Sequence, residues 1–183
     1  MNFSAFKNLR TLVICAVLAA AGVALKLVAF DFSTLTRLSF AFVPLYICAF
    51  TYGAFPAMLT GIVIDVLGSL LKGYGLNPMY TLTFVVAGLI AGLLYRGLTK
   101  IKVNFIISIM ICVFAVQLVC SVGMNGILWP FIVEGKAAML AALPFKLTTN
   151  VAYFFLYSIP LVIAEPVVLT VTKKFGVPTY NCL

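Results

Sequence analysis

Histidine is missing from this chain of 183 residues, and acids are nearly so: four Asp and Glu stand against twelve Lys and Arg. Without histidine, imidazole acid–base catalysis and histidine-ligated metal centres are excluded. No phosphate loop of the form G-x-x-x-x-G-K-S/T occurs. The nearest stretch, "EGKAAM", lacks both the spaced first glycine and the Ser or Thr, which closes that route to ATP hydrolysis. Neither an H-E-x-x-H motif nor a G-x-S-x-G elbow is present. Five cysteines (Cys15, Cys48, Cys112, Cys120, Cys182) show no metal-ligand spacing and read as isolated reduced thiols, four of them inside apolar runs.

Charge of any sign is scarce, at 9% of residues against 64% hydrophobic, whereas a soluble domain carries about 25% charged residues. Such a chain has too few polar groups to cover a water-facing surface. A membrane-embedded helical bundle needs no such cover, because lipid is its solvent. The formal charge of +8 is scattered at the ends of apolar runs, the pattern of topology determinants and headgroup contacts rather than of nucleic-acid binding.

Six apolar runs predict six spanning helices: Thr11–Phe30, a shorter Leu38–Tyr52, Phe55–Leu71, Pro78–Tyr95, Phe105–Leu128 and Leu147–Thr172. The first follows the basic lead Lys7 and Arg10 and has the length of a span rather than of a cleaved leader, although "AAAGVA" mimics a cleavage site. Pro160 and Pro166 predict a kink in the last. Breaks fall at Tyr52-Gly53, "KGYGLNP" and "GLTKIKVN". The half-apolar connection from Trp129 to Lys146 reads as an interfacial or re-entrant segment. No repeat or second domain is visible, so residues 1–183 read as one all-α transmembrane domain. Lys7, Arg10, Arg96, Lys100, Lys102, Lys173 and Lys174 outnumber the cations at the other ends, which predicts cytoplasmic termini.

On that topology Arg37, Lys72 and Lys146 fall outside, where positive charge is not favoured. Each alone reads as a snorkelling side chain; together they read as a site for an anionic ligand. Asp65, about two turns from the outer end of its span, is costly in lipid. It either receives N–H groups of a substrate or is locked in a pair with Arg37 or a nearby backbone group. Glu165, nearer the cytoplasmic end, reads as structural or partner-facing. Tyr74, Asn77, Tyr80, Thr81 and Thr83 flank the start of the fourth span, and Gln117, Asn125 and Trp129 line the outer half of the fifth. Trp129 is an aromatic-belt anchor or a flat face for a ring. Ala16, Ala20 and Ala24 share one face of the first helix, which serves either internal packing or a partner membrane protein.

The stretches "RLSFAFVP", "GIVIDVLGSLL", "GYGLNPMYTLTFVVAGLIAGLLY", "MNGILW" and "LPFKLTTN" together resemble the S-components of energy-coupling factor (ECF) vitamin transporters, in the folate branch. The resemblance covers most of the chain. It implies a six-helix prokaryotic plasma-membrane subunit with an outward substrate pocket, and no enzyme activity or cofactor of its own. It also implies a coupling subunit docked on Ala16, Ala20 and Ala24, and two ATPase subunits. Folate then matches as follows. Arg37 and Lys146 meet its carboxylates; Phe40, Tyr80 and Trp129 stack on its rings; Asp65 or Asn125 receive pterin N–H groups, with Ser39, Phe42 and Thr81 completing the site. One departure stands out: the branch has an arginine after "LP" where this chain has Lys146, a point charge in place of a planar fork. Other substrates of the same class are pantothenate, queuosine or a cobalamin precursor. Outside that class stand a small integral-membrane enzyme or assembly protein, or a solitary carrier or channel.

Overall fold

The computed structural model describes residues 9–33, 36–73, 75–128, 132 and 136–174, without the side chains of 30–38 and of parts of the last helix. The described residues hold six helices of more than one turn: α1 (Leu9–Leu27), α2 (Phe42–Tyr52), α3 (Ala54–Leu71), α4 (Pro78–Lys100), α5 (Phe105–Gln117, continued as a π-helix over Leu118–Leu128) and α6 (Lys136–Lys174). Five are long and apolar enough to cross a membrane. α2, with 11 residues, is not: at a rise of about 1.5 Å per residue it covers only about half the hydrocarbon thickness.

The connection from α1 to α2 departs from the all-helical expectation. β1 (Phe30–Ser33) and β2 (Thr36–Leu38) form an antiparallel hairpin with Asp31 opposite Arg37. Phe30 and Leu38, read as helix ends, are strand residues paired with each other. The hairpin marks one end of the bundle, called here the hairpin end. Both flanks of the hairpin are tied down. The Lys72 ammonium donates to the Ala29 carbonyl (3.2 Å), and the Tyr157 hydroxyl donates to the Ser39 carbonyl (2.7 Å). α6 begins at Lys136, earlier than the predicted span at Leu147, and runs through Pro144, Pro160 and Pro166. Membrane helices tolerate such prolines because neighbours resatisfy the freed backbone groups.

α2 and α3 reverse direction through a single residue. Gly53 has φ 93°, a region where a side chain is strained. α3 and α4 then pack backbone to backbone: a Cβ on Gly88 would lie 2.9–3.1 Å from the Ala57–Met58 backbone. Without a hydrophobic force between lipid-solvated helices, such small-residue contacts supply the association. Burial is inverted relative to a soluble protein. Leu12, Val17, Leu67, Phe114 and Phe155 face outward, while Thr60, Asp65, Gln117, Asn150 and Glu165 are enclosed. Cys15 and Cys48, expected to be isolated, meet thiol to thiol at 3.7 Å, with Cys48 also 3.4 Å from the Thr60 hydroxyl.

Candidate substrate-binding site

α1 carries Lys26 at its last turn, and α3 carries Asp65 less than two turns from its end. Their side chains form an ion pair at 2.5 Å, with Asp65 only 2% exposed. The same ammonium donates to the Asp65 carbonyl (3.0 Å) and to the Ser69 hydroxyl (2.9 Å), and it sits 5.4 Å from the centroid of the Phe84 ring. Thr81, in the first turn of α4, donates to the other carboxylate oxygen at 2.6 Å. Gly68 gives Lys26 its place, because a Cβ there would run into the Lys26 methylenes. Three helix ends are thus fastened by one charge pair whose hydrogen-bonding needs are met on both sides. Of the two readings of Asp65, the geometry displays the lock, closed by Lys26 from the facing helix.

Aromatic rings lie directly against this group. Phe42 stacks on Phe84 (4.5 Å between centroids, 7° between planes), and Tyr157 and Tyr46 tilt against Phe42 at 6.0 and 6.4 Å. Tyr153 extends the layer by stacking on Tyr157. Ser39 accepts from the Ala41 N–H with its hydroxyl (3.3 Å), shaping the turn that feeds α2. Phe40 in that turn is half-buried. On the α4 side, Asn77 caps the helix by accepting from the Met79 N–H (3.1 Å), with Pro78 in the first helical position. This cap presents Tyr80, which is 40% exposed.

The third side is the π-helix Leu118–Leu128. Runs of this helix type are rare and usually brief, and they concentrate at functional sites. Its Gly126 lies against Lys146 of α6: a Cβ there would stand 3.6 Å from the Lys146 Cβ and Cγ atoms, in ordinary contact. Asn125, adjacent in sequence, is half-buried.

Those sequence-predicted residues that the structure describes therefore fall on one end of the bundle. Asp65 and Thr81 touch; Ser39 and Phe42 meet the Tyr157 layer; Lys146 lies against the π-helix beside Asn125; Tyr80 stands at the exposed rim. Arg37 is placed by its backbone in β2, and its side chain is outside the described residues, as are Trp129 and Tyr74. Lys72, grouped at first with the ligand-facing cations, spends one donor on the Ala29 carbonyl. Lys26, Phe84 and Tyr157 were not foreseen, although two opposite charges stranded in separate apolar runs already ask for one another. Ala16, Ala20 and Ala24 all face away from the bundle; α1 packs inward through Thr11, Cys15, Ala19, Gly22 and Val23 instead.

The family model described as "ECF transporter, substrate-specific component" matches residues 10–169. The chain belongs to this family. Among solved structures, this substrate-specific component shares its fold with FolT in its crystal structure with bound folic acid. The TM-score is 0.69 at 23% identity, covering 84% of this chain and 92% of that one. It is also similar to ThiT from Listeria monocytogenes, at a TM-score of 0.51 and 20% identity over 92% of this chain and 96% of that one. No curated protein matches the sequence at a significant level. Membership makes the chain a membrane-embedded substrate-binding subunit of a transporter, whose relatives here are transport components and not enzymes.

Proposed function

We propose that this substrate-specific component captures folate, or a vitamin of the same anionic and aromatic chemistry, at the hairpin end of the bundle. In this reading residues 1–183 form one domain in a prokaryotic plasma membrane, with the hairpin end outside and both termini in the cytoplasm. A separate ECF coupling subunit docks on the outward face bearing Ala16, Ala20 and Ala24, and two ATPase subunits drive uptake.

The observation that carries the reading is the company kept by the ring layer. Phe42 and Phe84 stack in the bundle's hairpin end, with half-buried Phe40 and exposed Tyr80 at its rim and Lys146 on the π-helix side. A flat heteroaromatic ring stacks on Phe40, Tyr80 and Trp129, while Arg37 and Lys146 meet the carboxylates. Asn125 takes the pterin N–H groups, since an unpaired buried donor costs about 1–3 kcal/mol. Asp65, enclosed and already receiving Lys26 and Thr81, contributes through the network that holds Thr81. The likeness to FolT with folic acid supports the same substrate.

The test begins with the protein purified in detergent and mass spectrometry of whatever comes bound to it, followed by titration with folic acid. Folic acid is the expected ligand, and Arg37→Ala is expected to weaken it by about a hundredfold or more without lowering the unfolding temperature. A different bound nutrient, such as pantothenate, queuosine or a cobalamin precursor, overturns the substrate. Unchanged affinity in the variant overturns the site.

A further inference from the structure

Lys26 belongs to none of the predicted site residues, yet the contacts that organise the hairpin end start from it. Its ammonium binds the Asp65 carboxylate, the Asp65 carbonyl and the Ser69 hydroxyl. It lies 5.4 Å from the Phe84 ring centroid, and Phe84 stacks on Phe42. Phe42 packs on Tyr157, and Tyr157 donates to the Ser39 carbonyl. From α1, the chain of contacts passes through α3, α4, α2 and α6 and arrives at the turn directly after β2. That turn is held in addition by the Ser39 hydroxyl accepting from Ala41 and by the Phe40 carbonyl accepting from Val43 (2.9 Å).

We propose that Lys26 is a positioning residue of the substrate site, which sets the Ser39–Phe42 turn, and with it Phe40 and the base of β2, through the Phe84–Phe42–Tyr157 layer. Coupling of this kind travels through contiguous packed groups. The route needs an extended cation that is both paired and over a ring: pairing with Asp65 fixes the ammonium, and the fixed ammonium fixes the tilt of Phe84, against which Phe42 takes its parallel stack. Gly68 is shaped for this, its missing side chain being replaced by the Lys26 stem. The proposal builds on the hairpin end being the substrate site, but its consequence for the turn stands independently of which substrate binds.

The test combines hydrogen exchange, thermal unfolding and folic acid titration on the full chain in detergent. Lys26→Met together with Asp65→Asn removes both charges while keeping the volumes close, a change that leaves stability nearly intact. In that double variant the Ala41 and Val43 amides are expected to exchange about tenfold faster, and folic acid to bind about tenfold more weakly, the size of one lost charged contact. The turn between α4 and α5 at Lys102 and Val103, at the opposite end, keeps its wild-type exchange. Phe84→Leu, which cuts the relay and spares the charge pair, is the second variant; the same local acceleration is expected, and wild-type exchange there overturns the relay even if the double variant does not fold. Wild-type exchange at Ala41 and Val43 in either folded variant overturns the proposal, and so does acceleration spread equally to the opposite end. If folic acid fails to bind the wild type, the substrate reading falls while the exchange result still decides the role of Lys26.

Discussion

Asp65 and Glu165 are both acids buried in membrane-spanning helices, and the bundle keeps them in opposite ways. Asp65 has Lys26 and Thr81 on its oxygens and Ser69 beside its partner. Glu165 is completely enclosed, and neither of its carboxyl oxygens has a hydrogen-bond partner among the described residues. It lies eight residues beyond Tyr157 along α6, about 12 Å further from the hairpin end. That enclosure also removes the partner-facing reading of Glu165, since no surface of the residue is exposed. The thin polar inventory of this chain is therefore unevenly spent. Around Lys26 and Asp65 it is assembled into a satisfied network that fixes geometry, while the Tyr46 hydroxyl in the ring layer has no partner among the described residues. Around Glu165, and at the Thr51 and Tyr52 hydroxyls, polar atoms are enclosed singly, with no hydrogen-bond partner among the described residues.

The strongest way to break this comparison is to remove one member of the pair. Lys26→Met leaves Asp65 buried without its cation, and breaking a buried pair from one side costs about 3–5 kcal/mol. For a chain of this size that is a fall of about 6–20 °C in the unfolding midpoint, read by thermal unfolding in detergent. A midpoint within a degree or two of wild type would mean that the charge pair holds nothing together.

The large outlines of this molecule were legible from residues alone. Apolar runs bounded by Gly, Asn, Pro and charge placed α3 and the start of α4 correctly, and set α5 with its π continuation at Phe105–Leu128, because helix ends and lipid-facing runs are local properties. The hairpin was not seen, although "FDFS" alternates as a strand does; the neighbouring apolar runs dominated, and pairing depends on a partner strand across a turn. The π-helix was invisible because a change of hydrogen-bond register leaves the composition of an apolar run unaltered. For the site, residue types and the correct end of the bundle could be read. The pairing of Asp65 could not, because charge and position pointed to Arg37 or a backbone group, and only the crossing of α1 over Gly68 of α3 selects Lys26.

A smaller effect tests whether the hairpin end acts as one network. Tyr157→Phe keeps the ring against Phe42 and removes only the hydrogen bond to the Ser39 carbonyl. The cost to stability is about 1 kcal/mol, and folic acid affinity is expected to fall about fivefold, because the loosened turn carries Ser39 and Phe40. Loss of stability with unchanged affinity would separate the turn from the site and confine the network to a structural part.

Glu165→Gln is the smallest expected change and the other half of the comparison. The substitution keeps the shape of the side chain and deletes no hydrogen bond among the described residues, where neither oxygen receives a donor. The introduced amide brings two N–H groups into surroundings that offer them nothing better than the carboxyl had, a penalty that stays near 1 kcal/mol. Against it stands the removal of a group that is expensive to enclose in charged form without a partner. The two oppose each other, so the unfolding midpoint is expected to move by no more than about 4 °C, with folic acid affinity untouched because the residue lies outside the Lys26 network. A collapse comparable to that of Lys26→Met would show that the carboxyl of Glu165 is held by a specific partner after all, and the contrast between the networked acid and the unnetworked one would be lost.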